Sequence, residues 1–329
     1  MNEQNPQSRI GAWMGSLWQR LQPGAAGEDP LVQTTDRMVQ IADPVIRQAR
    51  RYRQVLRDPI AGAMAYFRSL SEGLPGPFVL DRSRYYDDPT VKALFASPDE
   101  LDEVLRLSPA VNTLRKQGQR GQMMAMMTMV QNERTIFGHQ QEGEMLLREV
   151  RQQAISFSDH RIVGPAVDPD QTREGIVQRG LEVLATVAME QITTLRSKKA
   201  ELEGQREYLK GMVKILGGRS HRQELFAVPT AKNREELHKV EQMLVEVEQQ
   251  WETVRQQIAL PEQSLTALAT IMGEPEKMLT ARTQRLRLDW KGIRVDDVPG
   301  SEGNEITLAE FSMEEVRRSA VLVSFTLNG

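Results

Sequence analysis

The chain contains no cysteine. That absence removes disulfides, thiolate metal sites and cysteine nucleophiles together, and it fits a reducing, cytoplasmic setting. Aromatic residues are scarce, at 5 % of 329 residues. A chain rich instead in Leu, Glu, Gln, Arg and Met reads as mainly α. No run approaches the ~20 apolar residues that span a bilayer. The 42 Lys and Arg nearly cancel the 45 Asp and Glu, so bulk charge does not point to nucleic acid. Neither Gly-x-Gly-x-x-Gly nor Gly-x-Ser-x-Gly occurs. Gly211–Ser220 lacks the glycine spacing of a phosphate-binding loop and carries Arg219 where such a loop needs Lys. No cofactor, metal or catalytic residue is expected from these patterns. Apolar residues at 40 % are nonetheless enough to build a core.

What is present organises into four stretches. Residues 1–29 form an arm. Ile10, Trp13, Met14, Leu17, Trp18 and Leu21 share one face of a short helix, and Pro23–Gly27 links it to the rest. The run lacks a small-residue cleavage site, so it reads as an amphipathic helix rather than a signal peptide. Trp13, Leu17 and Trp18 make it a candidate contact element for a protein partner or, weakly, for a membrane surface.

Residues 30–171 read as a helical domain. Asp29-Pro30, Asp43-Pro44, Asp58-Pro59, Asp88-Pro89, Ser97-Pro98 and Ser108-Pro109 each pair an N-cap oxygen with a proline suited to the first helical position. They predict helices over 30–42, 44–57, 59–72, 89–96, 98–106 and 109–118. In the second of these Arg50, Arg53 and Arg57 share a face that can meet phosphate. The Met-rich run from Gln122 to Phe137 is apolar on all sides, which predicts a buried helix. Ala154–Phe157 reads as a short strand and 164–170 as a loop. Ser156, Ser158, Asp159, His160 and Arg161 gather nucleophile, acid and base types, which makes Asp159–Arg161 the place for an enzymatic alternative, although triad members seldom converge from neighbouring positions. Glu235 and His238 have di-iron spacing but no second copy.

Residues 172–260 predict an antiparallel coiled-coil hairpin. Leu181, Ala188, Leu195, Leu202, Leu209 and Leu216 recur every seven residues, and Gly217-Gly218 is expected to end the first arm. Leu237, Val240, Leu244, Val247, Trp251, Val254 and Ile258 supply the second, with Trp251 the largest seam residue. The hairpin also offers a route to a homo-oligomer. In 261–329 a short helix precedes period-two segments around Leu286, Ile306 and Val321–Leu327, which predict a small antiparallel β meander packed on helices, with a bulge at Gly292. The expected fold is therefore mainly α: capped short helices, a long hairpin and a small meander. The expected function is a non-enzymatic scaffold or adaptor, peripherally anchored by its arm, with phosphate or nucleic-acid binding through Arg47–Arg57 and an enzyme at Asp159–Arg161 as alternatives.

Overall fold

The computed structural model describes residues 29–142, 145–226, 231–295 and 303–327. The arm with Trp13, Leu17 and Trp18 lies outside them. The helices are α1 (Pro30–Ala42), α2 (Tyr52–Glu72), α3 (Pro89–Leu94), α4 (Pro98–Leu107), α5 (Pro109–Lys116), α6 (Pro169–Phe226), α7 (Ala231–Ile258), α8 (Pro261–Gly273) and α9 (Pro275–Met278). The strands are β1 (Phe78–Val79), β2 (Gly121–Glu142), β3 (Met145–Ala166), β4 (Thr280–Leu288), β5 (Asn304–Met313) and β6 (Val316–Leu327). The chain is mixed α/β, with one six-stranded sheet. That corrects the mainly α expectation.

The cap-and-proline starts behave as their chemistry demands at most sites. Asp29, Asp88, Ser97 and Ser108 each accept a backbone N–H in the first turn of the helix that follows. Asp43 does the same for a single 3-10 stretch, Pro44–Gln48. The helix predicted over 44–57 does not form as one piece. Arg51 adopts φ +57, and α2 begins only at Tyr52 and runs through Asp58-Pro59. A side-chain cap at Asp58 is not needed where the preceding turn already supplies helical carbonyls.

The Met-rich run, expected to be a buried helix, is a strand. Met123, Ala125, Met127 and Met129 face one core and are at most 1 % exposed. Met126 faces a second, with Leu74, Ile176, Ala309, Ala320 and Leu322. A strand covered on both sides is apolar at every position. It therefore loses the alternation that marks a strand and reads like a buried helix. Its antiparallel partner β3 was legible only at Ala154–Phe157.

The compact unit containing the sheet comprises 63–181 and 274–327 of the described residues. Its antiparallel path runs β3-β2-β6-β5-β4, and β1 joins β6 in parallel. The expected meander exists as β4-β5-β6, but it is part of the larger sheet. The two ends of that path are then bridged. After β4 the chain turns at Asp289–Gly292, and Arg294 pairs back with Leu288. On its other side the same segment meets β3: the Ile155 N–H donates to the Gly292 carbonyl at 2.8 Å, and the Arg294 N–H to the Gln153 carbonyl at 2.8 Å. Gly292 has φ +78, and a Cβ there would stand 2.9 Å from the Ile155 oxygen. Glycine is required both for the turn and for the close approach. It is a turn residue, not the expected bulge.

The interior of this curled sheet is filled. Met127, Phe157, Leu286, Leu308, Val323 and Phe325 pack with Leu94, Phe95 and Leu101 from α3, α4 and their junction.

The second unit comprises 29–62 and 182–273. Met38, Ile46, Leu56, Leu184, Ala188 and Leu268 are wholly buried there. Asp43, 2 % exposed, caps its 3-10 turn and takes Arg196 at 2.5 Å. A buried carboxylate needs such a partner. Helix α6 has 58 residues, about 87 Å at ~1.5 Å per residue. It passes through Gly217-Gly218 without a break, against expectation. Two contacts give the α6–α7 pairing. The Arg206 guanidinium lies 4.5 Å from the Trp251 ring centre, and Lys210 Nζ reaches Glu248 Oε1 at 3.6 Å. Four residues forward on α6 correspond to three back on α7, so the helices are antiparallel.

Candidate functional site

The Ser156–Arg161 segment lies on β3 and does not assemble a catalytic group. Between Thr128 and Val130 the register to β3 slips from Arg161 to Ser158. One extra residue sits on β3, and Asp159 has φ +50. This is a β-bulge, and it moves every following side chain to the other face. Ser158 stays outside, where it accepts from the Asn132 amide at 2.8 Å. His160 turns inward, its side chain only 2 % exposed. Its ring stacks on Phe95 at 4.6 Å between centres, and Nε2 lies 2.8 Å from the Leu94 carbonyl. That carbonyl can only accept, so Nε2 carries the proton. Nδ1 is 3.7 Å from a Glu100 oxygen. Burial lowers the His160 pKa below the ordinary imidazole value, against the opposing pull of the Leu94 carbonyl and Glu100. His160 is a neutral core residue.

Asp159 is held from two sides. Arg318 donates to its carboxylate at 2.8 Å and to its carbonyl at 2.6 Å, and Arg161 donates from Nε at 3.1 Å. Partial burial alone would raise this carboxyl; hydrogen bonds and charge from the two arginines outweigh it and hold it below the usual range. The cluster pins the bulge to β6 and leaves no free acid.

The arginine face is also dispersed. Arg50 precedes α2, while Arg53 and Arg57 lie on it. Arg53 grips Asp36 with Nη2 at 2.5 Å and Nε at 3.0 Å, and the Tyr52 hydroxyl donates to the same carboxylate. Burial, which would raise the Asp36 pKa, is outweighed by these bonds, and the net shift is downward. Arg53 is thus committed to a structural pair. Arg50 and Arg51, with Gln54 and Val55, line an open depression of about 490 Å³. Arg51 in that lining has a left-handed backbone, φ +57, which periodicity could not reveal. A smaller hollow of about 220 Å³ lies among Thr280, Arg282, Glu310, Ser312 and Arg317 on β4, β5 and β6.

The di-iron spacing gathers no ligands. Glu235 pairs with Lys239 at 2.6 Å, and the His238 ring contacts Gln242. Among the described residues no group of three His, Cys, Asp or Glu side chains is placed to hold a metal, and no helix is long and apolar enough to cross a membrane.

The hairpin seam is asymmetric. Leu202, Leu209 and Leu216 are at most 9 % exposed. Trp251, the largest residue of the expected seam, is half-buried, flanked by the Arg206 and Arg255 guanidinium groups at 4.5 and 5.3 Å. One side of the hairpin carries the Lys210–Glu248 pair. On the other stand Tyr208, Ile215 and Met243, exposed by 68, 54 and 53 %. Tyr208 and Ile215 each precede an inward leucine by one residue, as Met243 precedes Leu244. On antiparallel right-handed helices those places point to the same side. These surface residues stand beside the seven-residue leucine stripe, whose stronger period masks theirs. Comparison with family models, with curated proteins and with solved structures returned no match for this chain.

Proposed function

We propose that the chain is a non-enzymatic scaffold or adaptor that works through helical contact surfaces. One observation carries the reading. Tyr208, Ile215 and Met243 are each more than half exposed on one side of the helical hairpin. Large apolar side chains gathered on one surface favour a protein contact. By its sequence pattern, the arm with Trp13, Leu17 and Trp18 adds a second contact element.

The test is affinity capture of the full chain from its native cells, comparing wild type with a Tyr208→Glu, Ile215→Glu variant. Both changes are at exposed sites, so circular dichroism should show unchanged helix content. Loss of the captured proteins supports the reading. Recovery of the same set by both chains removes this surface from it.

A second reading rests on Arg50 and Arg51 at their open depression, with Arg57 exposed on the helix that follows. None of the three is joined to a carboxylate by the ion pairs of the described residues. Phosphate-bearing polymers suit such guanidinium groups. Binding to polyphosphate that falls steeply with added salt, and that is lost in Arg50→Ala, Arg57→Ala, would favour this reading. Salt-independent or absent binding would remove it.

A further inference from the structure

The exposed side of the hairpin has an internal pattern. Gly204, Tyr208, Gly211 and Ile215 follow one another on α6 in steps of four, three and four. That is a second heptad stripe on a helix whose leucine stripe is already used, and large residues alternate in it with glycine. A Cβ at Gly204 or Gly211 would meet nothing within 4 Å. The fold itself therefore has no steric need for glycine at either place, although glycine weakens a helix interior relative to alanine. Both gaps are open to an occupant from outside the described residues.

We infer that the occupant of this face is a second copy of the same chain, docked antiparallel about a two-fold axis near residues 209 and 210. The inference rests on the contact reading above and names its partner. In that register Tyr208 lies opposite Gly211 of the second copy, and Ile215 opposite Gly204. By symmetry each glycine in turn receives a large side chain, so the surface is complementary to itself, as an isologous interface must be. The same register aligns charge. Residues just before the large positions flank the seam, and antiparallel docking sets Glu207 beside Lys214 of the second copy, twice over. Glu207 is 63 % exposed, with long contacts to Arg206 and Lys210 on its own helix. Lys214 is exposed and has no ion pair among those of the described residues. Parallel docking in register would instead set Tyr208 on Tyr208 and leave glycine facing glycine. Met243 of α7 widens the apolar patch beside Ile215.

The absence of cysteine makes a covalent test clean. In a Glu207→Cys, Lys214→Cys double variant of the full chain, the two thiols stand seven residues apart on one helix, roughly 10 Å. That is too far for a bond within the chain. Mild oxidation should yield a covalent dimer from the double variant and little from either single variant. Equal yield from one single variant would overturn the register. Sedimentation of the unmodified chain supplies the second arm. Glu207→Lys or Lys214→Glu alone should weaken the dimer about fivefold, from two lost surface pairs and two like-charge contacts, and the two changes together should restore it. Gly211→Ala should raise the melting temperature of dilute protein, because the helix gains propensity, while weakening the dimer, because the hole is filled. A chain that sediments as a monomer at every concentration overturns the inference. If that monomer still loses its captured proteins on Tyr208→Glu, Ile215→Glu, the contact reading survives and the second copy does not.

Discussion

In the sheet unit Met123, Ala125, Met127 and Met129 are all shut away from water, whereas in the hairpin unit Tyr208, Ile215 and Met243 stand more than half exposed. The contrast follows from geometry. A curled sheet offers two faces, and along Met123–Met129 the chain covers both: one by the sheet's own closure and α3–α5, the other by the start of α6 and the segment around Leu74. Two paired helices can cover only one stripe on each. Any further apolar residue on the hairpin is therefore available to a partner. The same side chain, methionine, is core filler at Met127 and exposed at Met243, and only its surroundings decide which.

The comparison can be broken most sharply at Met127. It is fully buried in the sheet interior, so Met127→Ala should cost about 2–5 kcal/mol through the cavity left behind. Met243→Ala, at an exposed site, should stay within about 0.5 kcal/mol. Urea unfolding of both variants measures the difference; equal costs would mean that the two regions do not differ in packing. A smaller loss is expected where the sheet ends are bridged. Gly292→Ala forces a side chain into a positive-φ position and against the Ile155 carbonyl, at about 1–3 kcal/mol. Hydrogen exchange should quicken at Ile155 and Arg294 before the rest of the sheet, and unchanged protection there would show that the bridge does not close it.

In the hairpin, Trp251→Ala removes a half-buried ring and two guanidinium contacts. We expect a loss of roughly 1–2 kcal/mol, below the ~3–5 kcal/mol of a fully buried tryptophan. A cost in the higher range would show the hairpin seam to be as dry as the sheet interior.

The smallest effect concerns pH. Burial lowers the His160 pKa in the folded chain, so the unfolded chain binds the proton first as pH falls. Stability attributable to His160 is present above its ordinary value, near 6.5. It is lost as pH drops through that value toward the lowered one. His160→Gln should flatten the stability profile in this window and leave the acid limb of Asp36 and Asp159, below the ordinary 3.8, unchanged. An identical slope in the variant would place His160 in solvent.

Local chemistry made several features readable along the chain. The cap oxygens of Asp29, Asp88, Ser97 and Ser108 act within a few residues of themselves, so a helix start there needs no distant partner. The seven-residue leucine spacing of α6 and the alternation of Val321–Leu327 carry their periods in plain view. What could not be read depends on cover supplied from afar. β2 lost its alternation over Met123–Met129 because both faces there are buried by residues distant in sequence. The bulge at Asp159 turned His160 away from Ser158 because Arg318, far along the chain, holds the extra residue. Arg53 left the arginine face because Asp36 claimed it. Sequence by itself determined where helices begin and which residues repeat. Only the tertiary structure decided that the methionine run is a strand, that the sheet ends are bridged at Gly292, and which apolar side chains remain for a partner, since burial is a property of neighbours that a linear pattern does not contain.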